Sequence, residues 1–305
     1  FDSSLDEMEK FMSMDHINAK KYNSYQLEAI EKALSIKDEA LRFTTYNLLF
    51  PLHDDRLEAK HRWPQRKKRV IEMIRHLNTD ILATQELYPS QIEDILESIG
   101  DEYQVVGEPY GDESCPQVSA IFFRTDRCEL LAHETYFNKE KKTIECARIK
   151  DLKTGQTWVI LNSHLAFFDI EERAKMAKTM AYMATKYPVV ITGDFNSFAN
   201  RPLLTPILPA LDGDWIAALF ESHQFKNAMN ASLLGHFGPI ATFTSDPNNR
   251  WFTKPFTGKG TPGIMLDHIL VSEQITVLSH TIDPALVDKD FPSDHMPVIA
   301  DLISD

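Results

Sequence analysis

Six apolar stretches of this chain are each interrupted at one end by residues that ionise or hydrogen bond strongly. Asn47 falls near the end of RFTTYNLLF, Glu86 near the end of DILATQEL and His164 near the end of QTWVILNSHL; Asp194 and Asn196 lie late in VVITGDFNS. Asp267 and His268 break IMLDHILVS, and Asp294 with His295 opens the last run in FPSDHMPVIADL. A single acid at a strand mouth is ordinarily solvated. A set made of carboxylates, amides and imidazoles with no Lys is different. Burying it costs several kcal/mol unless a metal or a hydrogen-bond network satisfies it.

The elements that must position these residues are legible. Residues 1–40 read as a helical and detachable extension, with LEAIEKALSIKDEAL carrying apolar residues at helical spacing, and residues 41–305 as the main domain. RWPQRKKRVIEMIRHL is a helix with Pro64 in its first turn and Val70, Ile74 and Leu77 on one face. PSQIEDILESIG is a second helix, ended by Gly100. SAIFFR, CELLAHETYF and IECARIKDL add strands between DILATQEL and QTWVILNSHL, and a long helix from about Glu171 to Lys186 precedes VVITGDFNS. Many strands in series with helices in both halves predict an α/β fold of two facing mixed sheets with helices outside.

Composition sets the bounds. The 305 residues are 43% hydrophobic and 25% charged, an ordinary globular balance, with no apolar run near the ~20 residues of a membrane helix. Cys115, Cys128 and Cys146 are too few for a disulfide framework and lack metal spacing. The net charge of −13 argues against gripping a long nucleic-acid backbone, yet leaves a short nucleic acid open. The chain begins with Phe1 rather than Met, which leaves room for a preceding signal peptide, and either a cytoplasmic or a secreted setting.

TYNLL, TQEL, NSHL, GDFNS, LDHILVS and SDHMPV, in this order over about residues 42–303, resemble the endonuclease/exonuclease/phosphatase superfamily of metal-dependent phosphohydrolases. The resemblance implies a four-layer α/β sandwich (DNase I-like) and a monomer that hydrolyses a phosphate ester with Mg²⁺ or Mn²⁺. Glu86 and Asn47 would be hard oxygen ligands, with Asp294 completing the shell. His295 pairs with Asp267, a carboxylate that fixes the imidazole tautomer and raises its basicity. Asp194 competes with His295 for the proton of the attacking water. Asn196, His164 and Arg148 would hydrogen-bond the phosphoryl oxygens.

Other residues read more plainly. His268 should face away from Asp267 by strand alternation, and the RKKR run Arg66–Arg69 reads as a solvated helix face. Many relatives carry an acid before the strand matching SAIFF, where this chain has Gln117 and Val118. Substrate choice rests on the loop Asn248–Gly263, whose Trp251, Phe252 and Phe256 beside Arg250, Lys254 and Lys259 suit either base stacking or a lipid headgroup layer. Nuclease-type phosphodiester cleavage is favoured. A sphingomyelinase-like or phosphoinositide phosphatase-like enzyme is the alternative, and a noncatalytic binding module is disfavoured by the intact residue set.

Overall fold

The computed structural model describes residues 3–13, 16–138, 142–167, 169–183, 186–197, 214–243 and 264–304. The loop Asn248–Gly263, with its aromatic and cationic residues, lies outside them. In chain order the strands are β1 (Leu41–Asn47), β2 (Ile81–Gln85), β3 (Tyr103–Val106), β4 (Pro109–Tyr110), β5 (Gln117–Val118), β6 (Ile121–Arg124), β7 (Cys128–Phe137) and β8 (Thr143–Asp151). They continue with β9 (Thr157–His164), β10 (Val189–Asp194), β11 (Phe225–Asn227), β12 (His236–Phe237), β13 (Asp267–Ser272), β14 (Ile275–Ile282) and β15 (Val298–Ser304). The helices are α1 (Ser4–Lys10), α2 (Ser24–Ser35), α3 (Trp63–Leu77), α4 (Pro89–Ile99), α5 (Ile170–Tyr182), α6 (Asp214–Ser222) and α7 (Ala228–Ala231).

Two mixed sheets face one another. The first has the order β12-β14-β15-β1-β2-β6-β3, the second β11-β13-β10-β9-β8-β7. Phe43, Ile81 and Ala83 of the first sheet meet Ile160, Val190 and Ile269 of the second in the central core. The outer face of the first packs on α3 and α4 through Tyr46, Leu82, Val70, Ile74 and Ile95. The outer face of the second packs on α5 and α6 through Val159, Ile191, Met176, Met180 and Phe220. This is the helix–sheet–sheet–helix sandwich anticipated from the strand pattern.

Strand alternation decides what enters the core. Phe43, Thr45 and Asn47 point between the sheets, as do Ala83 and Gln85, and Ile160, Asn162 and His164. The apolar inner positions thus give way to polar ones toward one end of the sandwich. There, Asn47 is in register with Gln85, and Asp194 with both His164 and Asp267. A polar seam underlies this row: Gln85 Nε2 donates to Thr45 Oγ1 (3.0 Å) and Asn162 Oδ1 (2.8 Å), while Asn162 Nδ2 donates to the carbonyls of Thr84 and Ala120.

Two readings of the sequence change here. The N-terminal extension is not detached. Leu5 and Met8 are buried in the cluster that contains Val70 and Ile74, Ser3 Oγ donates to Asp283 Oδ2 (2.7 Å), and α2 packs on Leu278 and Ile303. Nor is RKKR a uniformly solvated face, because Arg66 and Arg69 are buried. They share the face of Val70 and Met73 by helical spacing.

Gly193, in the strand that carries Asp194, has φ +140, and a Cβ there would lie 1.9 Å from the Ser163 carbonyl oxygen. Gly193→Ala should therefore destabilise the protein by roughly 2–4 kcal/mol, read as a lowered urea midpoint with an unchanged m-value. A midpoint equal to wild type would mean that β9 and β10 are not this closely apposed.

Candidate active site

Five strand ends and one turn deliver the site. Asn47 closes β1 and Glu86 follows β2, held at φ +64 in the left-handed region that an acid rarely adopts. His164 and Asp194 close β9 and β10, Asp267 opens β13, and Asp294 and His295 lie in the turn before β15. Asn196, two residues past β10, is also left-handed, at φ +47, and its backbone N–H donates to Asp194 Oδ1 (2.9 Å).

Asp194 is the shared centre. Its Oδ2 accepts from Asn47 Nδ2 (3.0 Å) and lies 3.6 Å from His164 Nε2 and 3.7 Å from His295 Nε2. His164 Nε2 is 3.8 Å from Glu86 Oε1. Two groups with closely spaced ligand atoms result, Glu86–His164–Asp194 and Asp194–Asp267–His295. On the far side of the second, His295 Nδ1 donates to Asp267 Oδ2 at 2.7 Å.

Burial and mutual repulsion push the acids up. The Glu86 carboxyl rises to about 7, first through desolvation and then through the charge of Asp294. Asp194 rises to about 6 through desolvation and then Asp267, and desolvation also raises Asp294. His295 is driven the opposite way by its surroundings: desolvation disfavours its cation, but Asp267, Asp194 and Asp294 outweigh it and hold the imidazole well above its ordinary range. Among the described residues no Lys or Arg forms a salt bridge with Glu86, Asp194 or Asp294. Crowded carboxylates, one buried and two half-buried, that lack such a partner and have amide oxygens at hand offer the donor chemistry of a hard divalent cation.

His164 differs. Asn196 Nδ2 donates to the Leu165 carbonyl (2.8 Å), which fixes the orientation of the amide, and its second hydrogen faces His164 Nε2 (2.9 Å). Nε2 is therefore the acceptor and Nδ1 carries the proton, 3.4 Å from Tyr110 Oη. That hydroxyl donates in turn to Gln117 Oε1 (3.0 Å), so an amide stands one residue behind His164. Burial, reinforced by Lys142, holds His164 well below its ordinary range and neutral. In this arrangement His164 Nε2 holds the Asn196 amide and the Asn196 backbone N–H holds Asp194, so the amide reaches a phosphoryl oxygen only by releasing one of its two bonds.

Of the residues selected from sequence, Arg148 alone stands apart. It is exposed on the outer face of β8, because Glu145, Ala147 and Ile149 take the inner positions and Arg148 alternates with them. It lines an outer groove with Cys146, Val159 and Tyr187. His268 also faces outward, against Phe195, with Nε2 3.2 Å from the Ser197 carbonyl oxygen. Sequence reading missed Tyr110, which sits in no motif, and Arg66, whose helical spacing relative to Val70 and Met73 was the available signal. The rings of Phe50 and Tyr88 lie parallel within 6°, their centroids 6.3 Å apart; Tyr88 is two residues past Glu86, and the Phe50 N–H donates to Glu86 Oε2 (3.4 Å).

The two-sheet sandwich with a histidine–carboxylate cluster at one end of its inner face agrees with the resemblance drawn from the sequence motifs. The family model described as the Endonuclease/Exonuclease/phosphatase family matches residues 44–295, and the chain belongs to that family. It is accordingly a phosphoric ester hydrolase. Among solved structures, an endonuclease/exonuclease/phosphatase from Bacteroides vulgatus is 23% identical with a TM-score of 0.70, over 87% of this chain and 99% of that one. The mannosyl-6-phosphatase Bt3783 of Bacteroides thetaiotaomicron VPI-5482 is 21% identical with a TM-score of 0.68, over 86% and 99%. D. rerio TDP2, complexed with single strand DNA product, is 17% identical with a TM-score of 0.60, over 88% and 100%. These three likenesses concern the fold. A search of curated proteins finds no match. Among the described residues no helix is long and apolar enough to cross a membrane.

Proposed function

We propose that this chain is a Mg²⁺- or Mn²⁺-dependent phosphodiesterase of nuclease type, acting on short single-stranded nucleic acid. The observation that carries the reading is Asp194, held by Asn47 and by the Asn196 backbone between the crowded acids on one side and the Asp267–His295 pair on the other. Glu86, Asn47 and Asp294 would hold the cation, which when bound neutralises charge on a nonbridging or leaving oxygen. His295, its Nδ1 proton committed to Asp267, directs Nε2–H at a phosphoryl oxygen. Asp194 orients the attacking water and accepts its proton as the P–O bond to the leaving group breaks. Asn196, itself held by His164, keeps that carboxylate aimed.

The diester preference is supported by the half-buried rings of Phe50 and Tyr88 beside Glu86, since aromatic faces next to a cation site suit stacked bases. The net charge of −13 restricts the substrate to short strands. A turnover panel with Mg²⁺ tests the proposal: single-stranded DNA and RNA oligonucleotides, abasic duplex, a sugar monophosphate, phosphoinositides and sphingomyelin vesicles. The oligonucleotides should exceed every other substrate by at least about tenfold in kcat/KM, a difference of roughly 1.4 kcal/mol in transition-state binding. Turnover of lipids without any nucleic acid would overturn the nuclease reading in favour of the lipid-directed one.

A further inference from the structure

Arg66 is buried in the first turn of α3, yet among the described residues it forms no salt bridge with a carboxylate. It spends its donors on carbonyls. Nη1 donates to Leu48 O (2.7 Å) and Pro292 O (3.0 Å), Nη2 to Leu49 O (2.8 Å), and Nε to His61 O (3.2 Å). Its plane also lies near the Trp63 ring, with Cζ 5.2 Å from the centroid.

Three of these carbonyls, those of Leu48, Leu49 and Pro292, belong to the turns beside Asn47 and Asp294, two of the proposed cation-holding residues. Leu48 and Leu49 follow Asn47, and Leu49 is forced to φ +57, a conformation disfavoured for a branched side chain. Its carbonyl is held from two sides, by Arg66 and by Gln91 Nε2 (3.2 Å). That turn aims two backbone N–H groups into the site: Leu49 N at Asn47 Oδ1 (3.0 Å) and Phe50 N at Glu86 Oε2 (3.4 Å). Pro292 precedes Asp294 by two residues, and Ser293 Oγ donates to the Asn47 carbonyl (2.7 Å), stitching the same two turns together.

We infer that Arg66 is a positioning residue for the cation site: its planar fork ties the turn after Asn47 to the turn before Asp294 and so sets the spacing of Asn47, Glu86 and Asp294. The inference rests on the metal-dependent reading above. A lysine keeps the charge but presents one compact ammonium, which cannot span carbonyls from both turns in the same fixed geometry.

Arg66→Lys is the test, with Mn²⁺ binding followed by calorimetry, hydrolysis of bis-p-nitrophenyl phosphate at saturating Mn²⁺, and thermal melting in chelator. The variant should bind Mn²⁺ at least about tenfold more weakly and lose a similar factor in kcat, with the diester KM within about twofold of wild type and a cooperative melt retained. Wild-type Mn²⁺ affinity and kcat alongside a lowered melting temperature would reduce Arg66 to a structural role and overturn the inference. Failure of the wild-type protein itself to bind Mn²⁺ would overturn the metal reading and this inference with it, a result visible before any variant is made. Should Arg66→Lys not fold, Gln91→Leu removes the other donor to the Leu49 carbonyl. Mn²⁺ binding weakened about threefold is then expected, and unchanged binding overturns the inference.

Discussion

Chelation with EDTA should abolish hydrolysis of bis-p-nitrophenyl phosphate, and Mg²⁺ or Mn²⁺ should restore it. Buried Asp194 and half-buried Glu86 and Asp294 crowd one end of the sandwich, and no Lys or Arg salt bridge compensates them among the described residues. Their charge is expensive without a cation. Full turnover in chelator would sink the proposed mechanism outright.

The same crowding has a measurable cost in the metal-free protein. Glu86 stands at about 7 when folded against an ordinary 4.5, so between these values the folded state binds the proton that the unfolded chain has released. A carboxyl raised in this way costs nothing below the unfolded value. Its penalty grows as pH climbs through the window and is complete above the folded value. Glu86→Gln removes the penalty along with the ligand. In EDTA the variant should therefore be more stable than wild type by about 1–3 kcal/mol at pH 8, with the advantage vanishing near pH 4.5. Calorimetric melts across that range check it, and Mn²⁺ should raise the melting temperature of wild type but not of the variant. A variant less stable than wild type at pH 8 in EDTA would show that Glu86 is already compensated and needs no cation.

What was legible in the sequence followed from strand parity. Asn47, His164, Asp194 and Asp267 are the polar residues that continue an inward-facing apolar series, and polar residues in that register are conspicuous in one dimension. Arg148 was misplaced by neglecting the same rule, since Ala147 and Ile149 claim the inner face of β8. Arg66 was hidden for another reason. A helix that shows a polar run gives no sign that one member reaches backbone carbonyls distant in sequence, and Pro292 lies 226 positions away. The Tyr110–Gln117 contact behind His164 is equally nonlocal, made by the short β4–β5 hairpin turning over the strand ends. The N-terminal segment was read as detachable because amphipathic helices look alike whether or not a partner exists. The hydrogen bonds of Ser3 and Ser4 with Asp283 could not be foreseen from spacing.

His295→Ala and Asp267→Asn should each lower kcat by about 10²- to 10⁴-fold, and the double variant should be little worse than the worse single one. Asp267 is fully buried, and its backbone is pinned by Thr242 Oγ1 (3.2 Å from its N). Its Oδ2 holds His295 Nδ1 at 2.7 Å, while Oδ1 has no hydrogen-bond partner among the described residues. Among the described residues the side chain of this carboxylate hydrogen-bonds only the imidazole, so removing both should remove one unit of function. Multiplicative losses would show that the two work separately. The pH profile of Asp267→Asn then assigns the proton. The carboxylate is the leading group that raises His295, so without it the imidazole loses its proton at lower pH. If His295 acts as the cation facing a phosphoryl oxygen and Asp194 as the base, the residual activity of Asp267→Asn should fall progressively below wild type as pH rises from about 6 to 8. A residual activity that instead gains on wild type over that interval would make the neutral imidazole the base and return Asp194 to a purely orienting role.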